Sequence, residues 1–162
     1  MKGRFDLYGS SNLPILSIRT NQALVVEGNR NPHRTIVGLE QTENIELHRV
    51  RGEELKPCTI HGFSSRINDS YFQMSPGAHT TMAIFKTQRL QDLAQIHDEK
   101  KLVDCLDQDN SLQLQLQHFK QLKTLLDLDN RVNSALRETL IERALLESFH
   151  PDAFLASNKG ES

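Results

Sequence analysis

Between Gly77 and Pro151 the chain contains neither glycine nor proline. The rest of the sequence is punctuated by both, so this gap divides it into two textures. Glycine and proline interrupt helices, and a long stretch free of them, rich in Leu, Gln, Lys and Glu, is a helical region. A chain of 162 residues has room for one domain with a helical annex.

The first half reads as short strands. "LPILSIR" and "QALVVEG" are apolar and β-branched, with "TNQ" between them. "RTIVGLE" and "NIELHRV" follow, then the turn "RGEEL", the strand "PCTIHGF", the turn "SSRINDS", and the strands "YFQMS" and "HTTMAIFK". Strands at spacings of roughly ten residues with turn residues between them predict an antiparallel barrel or sandwich. The expected fold class is therefore α+β, an N-terminal β-barrel or sandwich followed by a helical hairpin. Residues 1–12 are expected as an arm, 13–86 as the β unit, 87–150 as helices packed on it, and 151–162 as a linker or tail.

The helical half predicts a first helix from Thr87 to about Gln95, burying Leu90, Leu93 and Ala94, continued by a segment near Lys100 to Leu106. "LQLQLQ" alternates with period two. Its length and the spacing of Leu112, Leu116, Phe119, Leu122 and Leu126 nevertheless favour one helix from Ser111, as N-cap, to Leu126. A last helix follows "DLDN", capped by Asp129 or Asn130 and stopped by Pro151. Its apolar stripe is broad: Val132, Leu136, Leu140, Ile141, Ala144, Leu145, Leu146 and Phe149. One edge of that stripe covers the sheet. The set Val132, Leu136, Leu140, Leu145 and Leu146 is the candidate contact with a second copy, giving a homodimer.

The chemistry of motifs is sparse. A net charge of -2 argues against a free-standing nucleic-acid binder. Cys58 and Cys105 lie far apart with no CxxC spacing and read as reduced thiols, which fits a cytoplasmic protein. No apolar run approaches the ~20 residues of a membrane span, and the amino end lacks the apolar core of a signal peptide. Seven histidines include no HxH, HxxxH or HExxH, so no metal site is expected. The chain carries no GxSxG, Walker loop or GxGxxG, and no cofactor is expected. "SPGAH", Ser75 to His79, reads as a turn: proline breaks the strand and glycine accepts positive φ. His79 then opens a strand whose one face holds Thr81, Ala83 and Phe85, a face expected to look into the mouth of the barrel.

The order of "RGEELKP", a strand, a polar turn, "YFQMSPGAH", an apolar strand, and "FKTQRLQDL" running straight into a helix resembles the N-terminal regulatory domain of AraC-family transcription regulators. The resemblance covers about Arg34 to Leu155. It implies a cupin-like barrel half followed by helices that pair two subunits. It also implies a bacterial regulator whose DNA contacts are made by a further half of roughly 100 residues beyond this chain. Cupin metal motifs are reduced here to Pro76, Gly77, Ala78 and His79, which favours a barrel that binds without metal. A small effector or a regulatory protein is the implied ligand, and the candidate binding residues are His61, Phe63, Tyr71, Phe72, Met74, His79 and Met82. Two other readings stay open: an interaction adaptor or anti-activator using its helices, and a cupin-type metal enzyme.

Overall fold

A computed structural model describes residues 3–29, 31–42, 49–50, 53–54, 56–63, 69–107, 111–127 and 134–155. The elements in chain order are β1 (Gly3–Gly9), β2 (Pro14–Thr20), β3 (Leu24–Asn29), β4 (Arg34–Glu40), β5 (Arg49–Val50), β6 (Glu53–Glu54), β7 (Thr59–His61), β8 (Asp69–Met74) and β9 (His79–Lys86). Then come α1 (Thr87–Ile96), α2 (Lys100–Asp107), β10 (Ser111–Gln113), α3 (Leu116–Leu125) and α4 (Ser134–Ser148). Among the described residues these form two antiparallel sheets, ordered β1-β2-β9-β4-β7-β10 and β3-β8-β5-β6. Among the described residues no ladder joins the two and the larger sheet does not close on itself.

Side-chain alternation decides what each face does. On the larger sheet Ile15, Val37, Leu39, Ile60, Ala83 and Phe85 point to one side. They form the main core with Leu90, Leu93, Leu102, Leu122, Ile141, Leu145 and Phe149 of the helical layer. The opposite face turns Leu16, Ile18 and Met82 toward Leu24 and Met74 of the smaller sheet. Helices therefore cover one side of the larger sheet and strands cover the other.

The turn before β9 is built as its residues require. Gly77 adopts φ +85° with open space around it, so its role is the backbone angle alone. Its N–H donates to Thr20 O at 2.9 Å, and Ala78 N–H donates to Ser75 O at 3.1 Å. β9 then passes into α1 with no loop, and α1 breaks before α2 where Asp98 takes φ 52°.

Two sequence expectations are corrected. The helix expected from Ser111 is two elements. Ser111–Gln113 is strand β10, paired with β7 in the register Ser111↔His61, Leu112↔Ile60 and Gln113↔Thr59. The period-two alternation was real: Leu112 and Leu114 are buried while Gln113 is half-buried. Three residues suffice for a strand when a sheet edge is there to receive them, and α3 begins only at Leu116. The arm expected over 1–12 is likewise a strand over Gly3–Gly9, paired along its length with β2. The caps expected at Asp129 or Asn130 lie outside the described residues.

β1 is pinned to the helices by its helix-facing side. Tyr8 donates its hydroxyl to Leu126 O at 2.6 Å, just past α3. The Arg137 guanidinium of α4 stands 5.9 Å from the centre of the Tyr8 ring. Burial pushes the Tyr8 phenol from 10.0 up to about 12, with Arg137 opposing the shift and Asp127 adding to it. The protonated phenol is the form the fold favours. Its contribution is complete below pH 10.0 and is lost as pH rises toward about 12, because the unfolded phenol ionises first. Tyr8→Phe is expected to cost about 1 kcal/mol at neutral pH through the lost hydrogen bond. It should also be flatter than the wild type across the alkaline window. Urea denaturation of both proteins at stepped pH checks this; parallel pH profiles would contradict it.

Candidate functional site

The seven residues expected to bind a ligand do not share one surface. Met74 and Met82 meet between the two sheets, beside Leu16, Ile18 and Leu24. His61 joins them. Its Cε1 lies 3.1 Å from where a Cβ on Gly38 would stand, with Met82 Cγ 3.5 Å from the same point. The absence of a side chain at Gly38 is what admits the imidazole. Phe63 faces the other way, edge-on to Phe149 at 5.8 Å between ring centres. Tyr71 and Phe72 lie in β8 opposite Glu27 and Val26, with side chains outside the described residues.

His79 also differs from expectation. The face it shares with Thr81, Ala83 and Phe85 carries the helical layer, not a barrel mouth. Its Nε2 lies 2.8 Å from Ser17 Oγ. Its backbone N–H donates to Glu40 Oε1 at 2.6 Å. Glu40, absent from the sequence expectations, is a buried hub. Oε1 also accepts from the Thr42 hydroxyl at 2.6 Å and the Thr42 N–H at 3.2 Å, and Oε2 accepts from the Thr80 hydroxyl at 2.8 Å. Glu40 thus ties the end of β4 to the start of β9. Among the described residues no group of three or more His, Cys, Asp or Glu is placed to hold a metal ion.

The open space lies instead in the helical layer. A cleft of about 630 Å³ is walled by α1, α4 and the start of α3, a size suited to a small organic ligand. Leu93, Leu146 and Ala153 supply its apolar surface, and His97, His118, His150, Arg143 and Glu147 its polar rim. The α1–α4 wall is closed by a two-point ion pair. Arg89 Nη2 donates to Glu142 Oε2 at 2.8 Å, and Arg89 Nε to Oε1 at 3.2 Å. The antiparallel hairpin brings the start of α3 beside the end of α4. His118 at the start of α3 shares the cleft with Glu147 and His150 at the end of α4. Leu126, after α3, approaches Arg137 of α4 across Tyr8. No spacing in the sequence signals this cleft, since its histidines come from three separate elements.

The residues expected to face a second copy are also divided. Leu145 is 1% exposed and belongs to the chain's own core, so it is not available to a partner. Leu140 and Leu146 are half-buried against that core. Leu136 is 53% exposed. Val132 lies outside the described residues.

No protein-family model matches the chain, and no curated protein matches it. No described helix is long and apolar enough to cross a membrane. The crystal structure of the AraC-like transcriptional activator CuxR is similar to this chain, with a TM-score of 0.61 at 14% sequence identity. The match covers 97% of this chain and 59% of that one, so the chain spans well under two thirds of the activator's length. At this identity the likeness is one of fold: nearly all of this chain is arranged like part of an AraC-like transcriptional activator.

Proposed function

We propose that the chain is the regulatory part of a transcription regulator, binding a small effector in the helical cleft and self-associating through the outer face of α4. The observation that carries this reading is the fold likeness over 97% of the chain. The position of the cleft supports it. α4 walls the cleft with Thr139, Glu142, Arg143, Leu146 and Glu147, while the same helix exposes Leu136 outside it.

The mechanism is a linkage between the cleft-lining half of α4 and its Leu136 end, which lie along the same solvent-facing side of the helix. A ligand touching α1, α3 and α4 together stabilises the helix arrangement it fits best and shifts the population toward it. The outer surface of α4 moves with that choice. DNA-binding parts attached to a dimer are thereby held at one separation or another, and a dimer reads half-sites by their separation. The sandwich interior, with His61, Met74 and Met82, is the second place a small effector would enter. Exposed Ile96, Val103 and Leu116 on the helices support a different reading, capture of a partner protein.

A library of small metabolites screened for thermal stabilisation tests the effector reading. Compounds that raise the Tm of the wild type should lose that effect in Leu146→Trp, which fills the cleft. Compounds that stabilise both proteins equally, or that respond only to Met82→Trp, would place the effector elsewhere.

A further inference from the structure

Among the described residues β1 is an edge strand of the larger sheet, and its outward groups can be identified. Thr20, opposite Gly3 in the ladder, donates its N–H to Ala78 O at 3.1 Å and accepts the Gly77 N–H at 2.9 Å. Both of its peptide groups therefore point away from β1. In an antiparallel ladder this orientation alternates. The pairs Gly3↔Thr20, Phe5↔Ile18 and Leu7↔Leu16 are then the non-hydrogen-bonded ones. The N–H and C=O groups of Gly3, Phe5 and Leu7 project from the edge.

The side chains of this strand are unusual for an edge. Edge strands are normally guarded by lysine, proline, a bulge or brevity. β1 runs seven residues, "GRFDLYG", with no lysine, proline or bulge, and its two charges, Arg4 and Asp6, lie on the helix-facing side. Phe5 and Leu7 share one face and are 58% and 71% exposed. On the other face Arg4 Nε lies 2.8 Å from Asp6 Oδ2, so the strand's only charges cancel.

We infer that β1 is a docking edge for β1 of a second copy of this chain, paired antiparallel about a twofold axis through Phe5. Such an axis, normal to the sheet, keeps each face on its own side, so only residues of like parity oppose one another. Centred on Arg4 or on Asp6, the pairing sets like charges directly opposite, which is unfavourable. Centred on Leu7, it sets Asp6 against the partner's Tyr8 and leaves Arg4 without an acid opposite. Centred on Phe5, it sets Arg4 against the partner's Asp6 and Asp6 against the partner's Arg4. The outward peptide groups of Gly3, Phe5 and Leu7 then all meet counterparts, because these three positions are symmetric about Phe5. Gly3 completes the fit. The Phe5 ring already leans across it, with Cε2 4.0 Å from where a Gly3 Cβ would stand. The partner's Leu7, opposite Gly3, is thereby laid against the Phe5 ring.

The consequence is one sheet continuous through both copies, with both helical layers on the same side. α4 touches β1 through the Arg137–Tyr8 contact and, next to it, the 2.7 Å hydrogen bond from Ser10 to Glu138. It therefore flanks the seam, which joins this inference to the self-association proposed above and rests on it.

Cysteine cross-linking of the full chain tests the register. Opposed Cβ atoms stand ~5 Å apart. Phe5→Cys should therefore yield a disulfide-linked dimer as its main product under mild oxidation. Leu7→Cys, held about 14 Å from its symmetry mate by four residues of strand, should yield little. Cys58, whose thiol is pushed up by burial, and buried Cys105 compete poorly, and the wild type serves as control. Arg4→Asp should weaken association about tenfold, and adding Asp6→Arg should restore it. Hydrogen exchange on the unmodified protein gives an independent reading: the Phe5 and Leu7 amides should become protected as the protein associates. A dimer with unprotected Phe5 and Leu7 amides and no preferred Phe5→Cys cross-link would overturn the edge pairing while leaving the α4 contact standing. A monomer throughout would overturn both.

Discussion

Phe149→Ala is expected to lower the free energy of unfolding by about 4 kcal/mol. Phe149 closes the helical layer just past α4, is fully buried, and meets the Phe63 ring edge-on at 5.8 Å and 77°. Truncation removes the buried ring and leaves a cavity between the end of α4 and the segment after β7 that carries Phe63, and neither side can collapse without breaking its own packing. Guanidinium denaturation measures the effect, with the midpoint falling and the slope unchanged. Arg143→Ala on α4 is the internal control, since an exposed position away from the proposed self-association contact changes stability by less than about 0.5 kcal/mol. Equal effects from the two variants would mean that the packing of α4 is wrongly described.

The second large effect belongs to Glu40. Glu40→Ala should cost about 3 kcal/mol, because it strips the acceptor from the His79 N–H, the Thr80 hydroxyl and both Thr42 donors at a buried site. Glu40→Gln keeps one carbonyl oxygen for the Oε1 donors, and the Thr80 hydroxyl can turn to accept from the new amide. Its cost should be near 1 kcal/mol. Thermal denaturation of the two variants side by side separates these outcomes. A Glu40→Ala protein as stable as the wild type would show that the hub does not hold β4 to β9.

Much of the fold was legible because local and global signals agreed. "RTIVGLE" and "HTTMAIFK" become β4 and β9 at the expected residues, since each is an apolar strand buried on the helix-facing side. The helices from Thr87 follow from the absence of glycine and proline. β10 was hidden because Ser111 to Leu126 contains two elements whose periods overlap, and leucines at 112, 114 and 116 fit either. β1 was hidden because its apolar residues, Phe5 and Leu7, lie exposed while its helix-facing side is charged or phenolic. Barrel and sandwich stayed open in the sequence because strand pattern specifies faces, not closure. The site was the least legible part. Parity placed His79 and Phe85 on one face correctly, yet the layer covering that face depends on where the helices return. His97, His118 and His150 come to line one cleft only once α1, α3 and α4 are packed together.

The proposed pairing of DNA-binding parts by this chain is measured most directly with a fusion. The full chain is joined to a DNA-binding head that occupies paired half-sites only as a dimer, and operator binding is measured against half-site separation. The fusion should bind paired half-sites far more tightly than the head alone, and Leu136→Glu, at an exposed position, should abolish that gain while the chain stays folded. A fusion that binds no better than the isolated head at any separation would contradict the claim.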